Sequence, residues 1–298
     1  MKPVDISVCI VTYKARELLR KCLQTLIKNT ESSLEIIVVD NGSGDGTAEM
    51  IQKEYPSIQY VRNSVNQGYT KPMNQALRKS RGGYVLQLNP DTEVLPGAID
   101  TLANFLNDNP VVGICGPKVL NRDGSFQAQC RRGESRPWAV ISYFSGLSTL
   151  FPESEFFGQY LLNYFDEDST HPVAGVSGSC MLVRKEVFEQ IGYLDERFFA
   201  FQEDSDFCLR TCRAGWEVYY VPDARIIHYG SLGGSHVHQA RSIYEWHKSY
   251  FLFYRKNYAG DYFFLFNWLY YAAMFIKFVL SLLGNYLRKG FHVGAQRV

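Results

Sequence analysis

Ile6-Ser7-Val8-Cys9-Ile10-Val11-Thr12-Tyr13 and Leu34-Glu35-Ile36-Ile37-Val38-Val39-Asp40 are two short apolar runs, each closing on polar residues. Continuous apolar runs of this length, bounded by turn residues, read as buried strands. Between them Leu18, Leu19, Cys22, Leu23, Leu26 and Ile27 recur at helical spacing, so this segment predicts a helix packed back on the sheet. The pattern then repeats. Residues 41–47 form a turn cluster and N-cap for a helix carrying Met50 and Ile51. A strand near Tyr60-Val61, a helix through Met73, Ala76 and Leu77, the Gly82-Gly83 break and a strand over 84–89 follow. Strands spaced by helices imply βαβ units with right-handed crossovers, and so an α/β fold with a mainly parallel central sheet.

The chain has 298 residues, one large domain or two modest ones, and its 46% hydrophobic content excludes global disorder. With 31 basic and 30 acidic residues the formal net charge is +1, which argues against nucleic acid as a whole-chain partner. Seven scattered cysteines, none in a C-x-x-C pair, indicate neither a zinc ribbon nor a disulfide framework. Cys208 and Cys212, four apart on a predicted helix, read as small buried apolar residues, and a reducing compartment is expected. The run 6–11 is too brief for a signal-peptide core, so the catalytic part is expected not to be secreted.

In open α/β sheets ligands bind beyond the carboxyl ends of the strands. Four predicted strand ends finish in polar groups: Thr12-Tyr13, Asp40-Asn41, Asn63, and Asn89-Pro90-Asp91. One Asp after a strand is ordinarily a turn former or helix cap; several converging on one sheet edge suggest a pocket for hydroxyls and phosphates. Residues 125–172 are irregular, with Arg131-Arg132 and many aromatics. They read either as a cover over the sheet or as an aromatic, basic wall facing a second substrate. Order resumes with a strand through 180–183. Glu203, Asp204 and Asp206 then fall in the first turn of a helix ending at Gly215, where acids are stabilised by the helix dipole whatever their role. Strands over 216–221 and 224–227 follow, the latter ending in His228, a surface residue or a ligand.

The last seventh changes character. Residues 262–283 carry one charge, Lys277, and match the roughly 20 residues that cross a bilayer. Asn267 and Lys277 weaken a spanning reading. The alternatives are a helix lying in the membrane surface, with Arg255, Lys256 and the tail residues Arg288, Lys289 and Arg297 on anionic head groups, or a buried helix of a soluble homo-oligomer.

These residues suit one chemistry. A hard divalent cation, Mg²⁺ or Mn²⁺, bridging the phosphates of a leaving nucleoside diphosphate takes carboxylate ligands and tolerates an imidazole, which suits Asp91 and His228. A nucleobase N–H would find an acceptor near Thr12 and Asp40. An acceptor hydroxyl needs a carboxylate to take its proton; Asp204 is the candidate, with Asp206 or Glu203 as fallback. One base opposite the leaving group implies a single displacement with inversion at the anomeric carbon.

The ordered set 8–13, 37–43, Asn66-Gln67-Gly68-Tyr69, Leu88-Asn89-Pro90-Asp91-Thr92, Gly178-Ser179, 198–206 with Arg210, and His228 resembles family 2 glycosyltransferases of the GT-A fold. Within that family it is similar to the rhamnosyltransferase-like branch of bacterial polysaccharide synthesis, over residues 4–235. The resemblance implies that Thr12, Tyr13 and Arg16 line the nucleotide and that Asp40 binds the base. It also implies that Asn66 and Gly68 shape a loop over the nucleotide, that Lys71 approaches the phosphates, and that Asn89 and Asp91 meet the donor. Asp91 would hold the metal with His228, and Asp204 would be the catalytic base. The family's Asp-x-Asp motif reads Asn89-Pro90-Asp91 here, leaving Asp91 as its only carboxylate. The expected organisation is a catalytic domain over 1–235 and a helical, membrane-associated region over 236–298. The expected location is the cytoplasmic face of the inner membrane. The donor implied is a nucleotide-diphosphate sugar, rhamnose on thymidine diphosphate first and uridine-diphosphate hexoses next; the acceptor is a glycan or a lipid-linked sugar. A sugar-1-phosphate nucleotidyltransferase would need a Gly-rich loop where Thr12-Tyr13-Lys14-Ala15-Arg16-Glu17 stands. A catalytically silent sugar-nucleotide-binding module is the other alternative, and the joint presence of Asp91, Asp204 and His228 speaks against it.

Overall fold

All seven side chains of β1 (Ile6–Thr12) are buried, which requires neighbours on both edges and layers on both faces. The computed structural model, which describes residues 5–230 and 239–288, supplies them. The first half continues as α1 (Arg16–Lys28), β2 (Leu34–Asp40), α2 (Thr47–Glu54), β3 (Gln59–Arg62), α3 (Thr70–Leu77), β4 (Tyr84–Leu88), β5 (Thr92–Val94), α4 (Ala98–Asp108) and β6 (Val112–Leu120). An excursion holds β7 (Arg131–Arg132), α5 (Pro137–Ser145), α6 (Leu147–Leu150), β8 (His171–Pro172) and β9 (Gly175–Val176). Then come β10 (Cys180–Arg184), α7 (Lys185–Ile191), α8 (Glu203–Arg213), β11 (Glu217–His228), α9 (Gln239–Asn257) and α10 (Phe264–Arg288).

The main sheet has nine strands in the order β3-β2-β1-β4-β10-β6-β11-β5, with β8 also on β11. β1, β2, β3, β4, β6 and β11 run one way; β5, β8 and β10 run the other. The expected mainly parallel α/β sheet is present. β1 has β2 on one side and β4 on the other, so the chain order reverses at its carboxyl end and opens a crevice there. α1 packs on the sheet through Leu19, Cys22, Leu23 and Leu26, whereas Ile27 stays exposed.

Two readings change. The strands expected over 216–221 and 224–227 are one strand, β11, whose register shifts between Val221 and Arg225 to accommodate Pro222. The irregular stretch 125–172 is partly ordered: β7 pairs with β9, and Arg131 is buried, donating to the Phe165 and Asp166 carbonyls at 2.7 and 2.8 Å.

A second, aromatic core joins α5, α8, α9 and α10 through Val140, Phe198, Leu209, Tyr250, Phe253 and Tyr270. Polar ties fasten α9 to α8: Lys256 and Asn257 both donate to the buried Asp206 carboxylate, and Arg213 donates to Asn257. All seven cysteines are free thiols and all but Cys212 are buried. The boundary expected at 235/236 and the tail residues Lys289 and Arg297 lie outside the described residues.

Candidate active site

The carboxyl end of β1 and the turn after β2 build the corner expected to meet the nucleotide. Asp40, 1% exposed, is held by three donors: the Ser43 N–H and hydroxyl on Oδ1 at 2.9 and 2.5 Å, and the Tyr60 hydroxyl on Oδ2 at 2.6 Å. Burial, followed by that hydrogen bond to Asp40, pushes the Tyr60 phenol well above its usual range. A carboxylate has about four acceptor positions, so Asp40 retains capacity for one more N–H. Thr12, paired with Asp40 across β1–β2, is fully buried with its hydroxyl unpartnered. Tyr13 is half-buried, and Arg16 lies exposed at the rim, its Nε on Glu17 at 2.8 Å.

Asn41 organises the loop expected over the nucleotide. Its amide donates to Asn66 Oδ1 at 2.9 Å and to the Gly68 carbonyl at 2.6 Å, and its oxygen accepts the Gln67 N–H at 3.0 Å. Gly68 has φ +88°, and a Cβ there would lie 2.3 Å from the Phe199 carbonyl oxygen. Only glycine permits that approach. Lys71 sits exposed in the first turn of α3.

The second corner forms where β4 and β11 end. His228 Nε2 lies 3.3 Å from Asp91 Oδ1 and 3.5 Å from the Asn89 amide nitrogen. His228 Nδ1 lies 2.9 Å from Gln127 Oε1. The orientation of Gln127 is set by its own amide, which donates to Asn121 Oδ1 at 2.8 Å. The contact of Nδ1 with Gln127 turns the other ring nitrogen, Nε2, toward Asp91. An imidazole nitrogen and a carboxylate oxygen side by side are donors of the kind a divalent cation accepts. Among the described residues no three His, Cys, Asp or Glu side chains cluster as a closed metal site. Such an ion would be held by Asp91 and His228, with the remaining positions open to phosphate and water, as Mg²⁺ and Mn²⁺ prefer.

The third corner is the start of α8. Phe201 and Gln202 both adopt left-handed backbone (φ 69° and 64°), a strained pair of a kind that persists where surrounding structure demands it. Asp204 then accepts the Gly178 N–H on Oδ2 at 3.0 Å and the Ser205 N–H on Oδ1 at 2.7 Å, and Oδ2 pairs with Arg132. Burial opposes ionisation of Asp204, but the Arg132 charge and these donors outweigh it and hold the carboxyl below its ordinary value. Glu203 behaves oppositely: burial and then the Asp204 charge push its carboxyl up to about 8. Asp206, the other fallback base, is fully buried against Arg210, Lys256 and Asn257, and its role is to hold α8 in place.

The corners meet. The Asn89 N–H donates to the Ser179 carbonyl at 2.9 Å, and the preceding residue, Gly178, donates to Asp204. One peptide step thus links the Asn89-Asp91 corner to Asp204. Tyr69, its hydroxyl 3.5 Å from the Gly178 carbonyl, faces Glu203, Asp204 and Asp91 together; burial, then these charges, hold its phenol far above the usual range. Sequence reasoning placed Asn41 at a polar strand end and Arg132 in a basic stretch without giving either a specific partner, and it did not single out Gln127. The Arg131-Arg132 pair was a signal, but only strand alternation in β7 decides that Arg131 packs inward and Arg132 reaches Asp204. Gln127 carried no signal.

A family model described as "Glycosyl transferase family 2" matches residues 7–192. The chain is 30% identical over 266 residues to an "N-acetylglucosaminyl-diphospho-decaprenol L-rhamnosyltransferase" of Mycobacterium tuberculosis, covering 86% of this chain and 85% of that one. It is also 30% identical over 213 residues to a low-salt glycan biosynthesis hexosyltransferase of Haloferax volcanii, covering 70% of this chain and 62% of the other. Among solved structures, a mannosyltransferase of Pyrobaculum calidifontis in complex with GDP-Man and Mn²⁺ superposes with a TM-score of 0.57 at 19% identity, over 86% of this chain and 66% of that one. S. aureus TarS 1–349 in complex with UDP gives 0.52 at 18% identity, over 75% and 60%. At these identities the structural likeness speaks to the fold.

Proposed function

The chain belongs to glycosyl transferase family 2, and within that family we propose an inverting, metal-assisted transfer of a sugar, rhamnose first, from a nucleoside diphosphate to a hydroxyl of a lipid-linked acceptor. What carries the reading is the juxtaposition of Asp91 and His228 with Asp204 across the Gly178-Ser179 step. Asp40 and the loop Asn66–Gly68 would seat the nucleotide. A divalent cation held by Asp91 and His228 would neutralise charge developing on the departing diphosphate. Asp204, kept ionised by Arg132, would accept the proton of the acceptor hydroxyl as its oxygen bonds the anomeric carbon and the carbon–phosphate-oxygen bond breaks. Glu203, protonated at neutral pH, would leave Asp204 as the single base, which fits one displacement with inversion.

The rhamnose and lipid-diphosphate preferences rest on the mycobacterial relative's name. A location at the cytoplasmic face of the membrane rests on that acceptor class together with α10, which is long and apolar enough to cross a membrane by length and composition. The catalytic work is assigned to residues 1–235. The test is transfer by the purified full-length chain from thymidine-, uridine- and guanosine-diphosphate sugars, with and without Mn²⁺, reading the anomeric configuration of the product by NMR. A retained configuration, or undiminished turnover after chelation, would overturn the corresponding part of the reading.

A further inference from the structure

α10 departs from the arrangement of an ordinary surface helix: its polar side chains Asn267, Lys277 and Ser281 face the protein together with Tyr270, and a broad apolar stripe faces outward. Asn267 accepts the Tyr254 hydroxyl and donates to the Ala259 and Tyr262 carbonyls at 2.9 and 3.1 Å. The Lys277 ammonium lies over the rings of Phe144 and Trp246, 4.2 and 4.1 Å from their centroids. Ser281 bonds back to the Lys277 carbonyl at 2.8 Å and lies 3.5 Å from His247 Nε2. The opposite stripe, Leu265, Trp268, Leu269, Ile276, Leu280 and Leu283, is half or more exposed. It extends about 27 Å along the helix, far more apolar surface than a soluble face ordinarily leaves to water.

The same contacts decide how such a helix can meet a bilayer. From Asn267 to Ser281 the helix lies against α9, at Tyr254, Phe251, His247 and Tyr244 in turn. α9 carries the exposed charges Lys248 and Arg255 and is fastened to α8. Spanning would drag those charges and the catalytic body into hydrocarbon; lying flat immerses only the outer stripe. Apart from the inward-facing Lys277, residues 262–298 carry three basic residues, Arg288, Lys289 and Arg297, and no acidic one, a balance that attracts an anionic leaflet and repels a second copy of the same surface.

We propose that α10 is an in-plane docking helix for an anionic phospholipid bilayer, and that α9 transmits its position to α8, setting the height of Asp204 above the membrane. The second clause rests on the lipid-linked acceptor reading; the docking does not. Nitroxide labels at Trp268→Cys and Leu283→Cys, in a Cys212→Ser background of the full chain, are about 22 Å apart along the helix. On vesicles of phosphatidylglycerol and phosphatidylethanolamine, power saturation should place both at the same shallow depth. Depths differing by most of that length would make α10 a span and overturn the proposal. Absence of vesicle binding, with a concentration-dependent dimer instead, would overturn it in favour of a second copy. Leu269→Glu with Ile276→Glu should lower vesicle partitioning by about tenfold or more while leaving transfer to a short-chain soluble acceptor unchanged; unchanged partitioning would refute the docking face. If docking persists but transfer to lipid-linked acceptors is undetectable, the acceptor reading alone fails, and with it the second clause.

Discussion

Replacing Asp204 with Asn tests the base and its environment together. The change keeps the shape of the side chain but removes the charge that Arg132 faces, in a spot where both side chains are 13% exposed. The amide can still accept from Arg132 and Gly178 through one oxygen; its nitrogen then confronts the Ser205 N–H. Loss of a general base slows transfer by about 10²–10⁴-fold. Leaving a buried guanidinium unpaired costs about 3–5 kcal/mol, softened here because Glu203, freed from the Asp204 charge, ionises more readily. Removing Arg132 as well, as Arg132→Met with Asp204→Asn, should recover most of that stability without recovering activity. Initial rates and denaturant unfolding of the two single variants and the double close the cycle. Arg132→Met alone should move the acid limb of kcat/KM toward higher pH, because the charge that holds the Asp204 carboxyl low is gone. The same depressed carboxyl stabilises the fold above its unfolded value, and that contribution is lost as pH falls through the folded one. Turnover of Asp204→Asn within tenfold of the parent would remove Asp204 as base. Strictly additive stability losses would show that the pair is not coupled.

Three further outcomes follow from the geometry. Glu203 retains a proton in the folded chain between its ordinary value of 4.5 and about 8, so stability falls as pH rises through that window; Glu203→Gln should flatten thermal stability against pH there, and an unchanged slope would assign the proton elsewhere. Gln127→Ala frees the His228 ring to rotate and change tautomer, and should weaken Mn²⁺ binding by about 10–100-fold by calorimetry in the presence of nucleoside diphosphate; equal affinity would show that His228 needs no such orientation. Gly68→Ala drives a methyl into the Phe199 carbonyl and strains a left-handed residue, at about 1–3 kcal/mol, and should raise donor KM more than it lowers kcat if, as proposed, this loop seats the nucleotide.

The chain's local patterning was enough to establish the parallel βαβ half, the polar strand ends and the apolar C-terminal helix. Each of these is a property of near neighbours: unbroken apolar runs make doubly buried strands, 3.6-residue spacing makes the covering helices, and strand ends at one edge collect polar groups. Asp91 and His228 stood out in the sequence at the ends of predicted strands, and Asp204 in the first turn of a predicted helix. Tertiary structure alone decided that Asn89 and Asp204 share the Gly178-Ser179 step and that Gln127, one hundred and one residues away along the chain, orients the His228 ring. It also decided that Arg132 rather than Arg131 meets Asp204, and that Lys277 points inward between two rings. These depend on which distant segments pack against one another, and the free energy that selects such packing is a sum over contacts that no short window of residues contains.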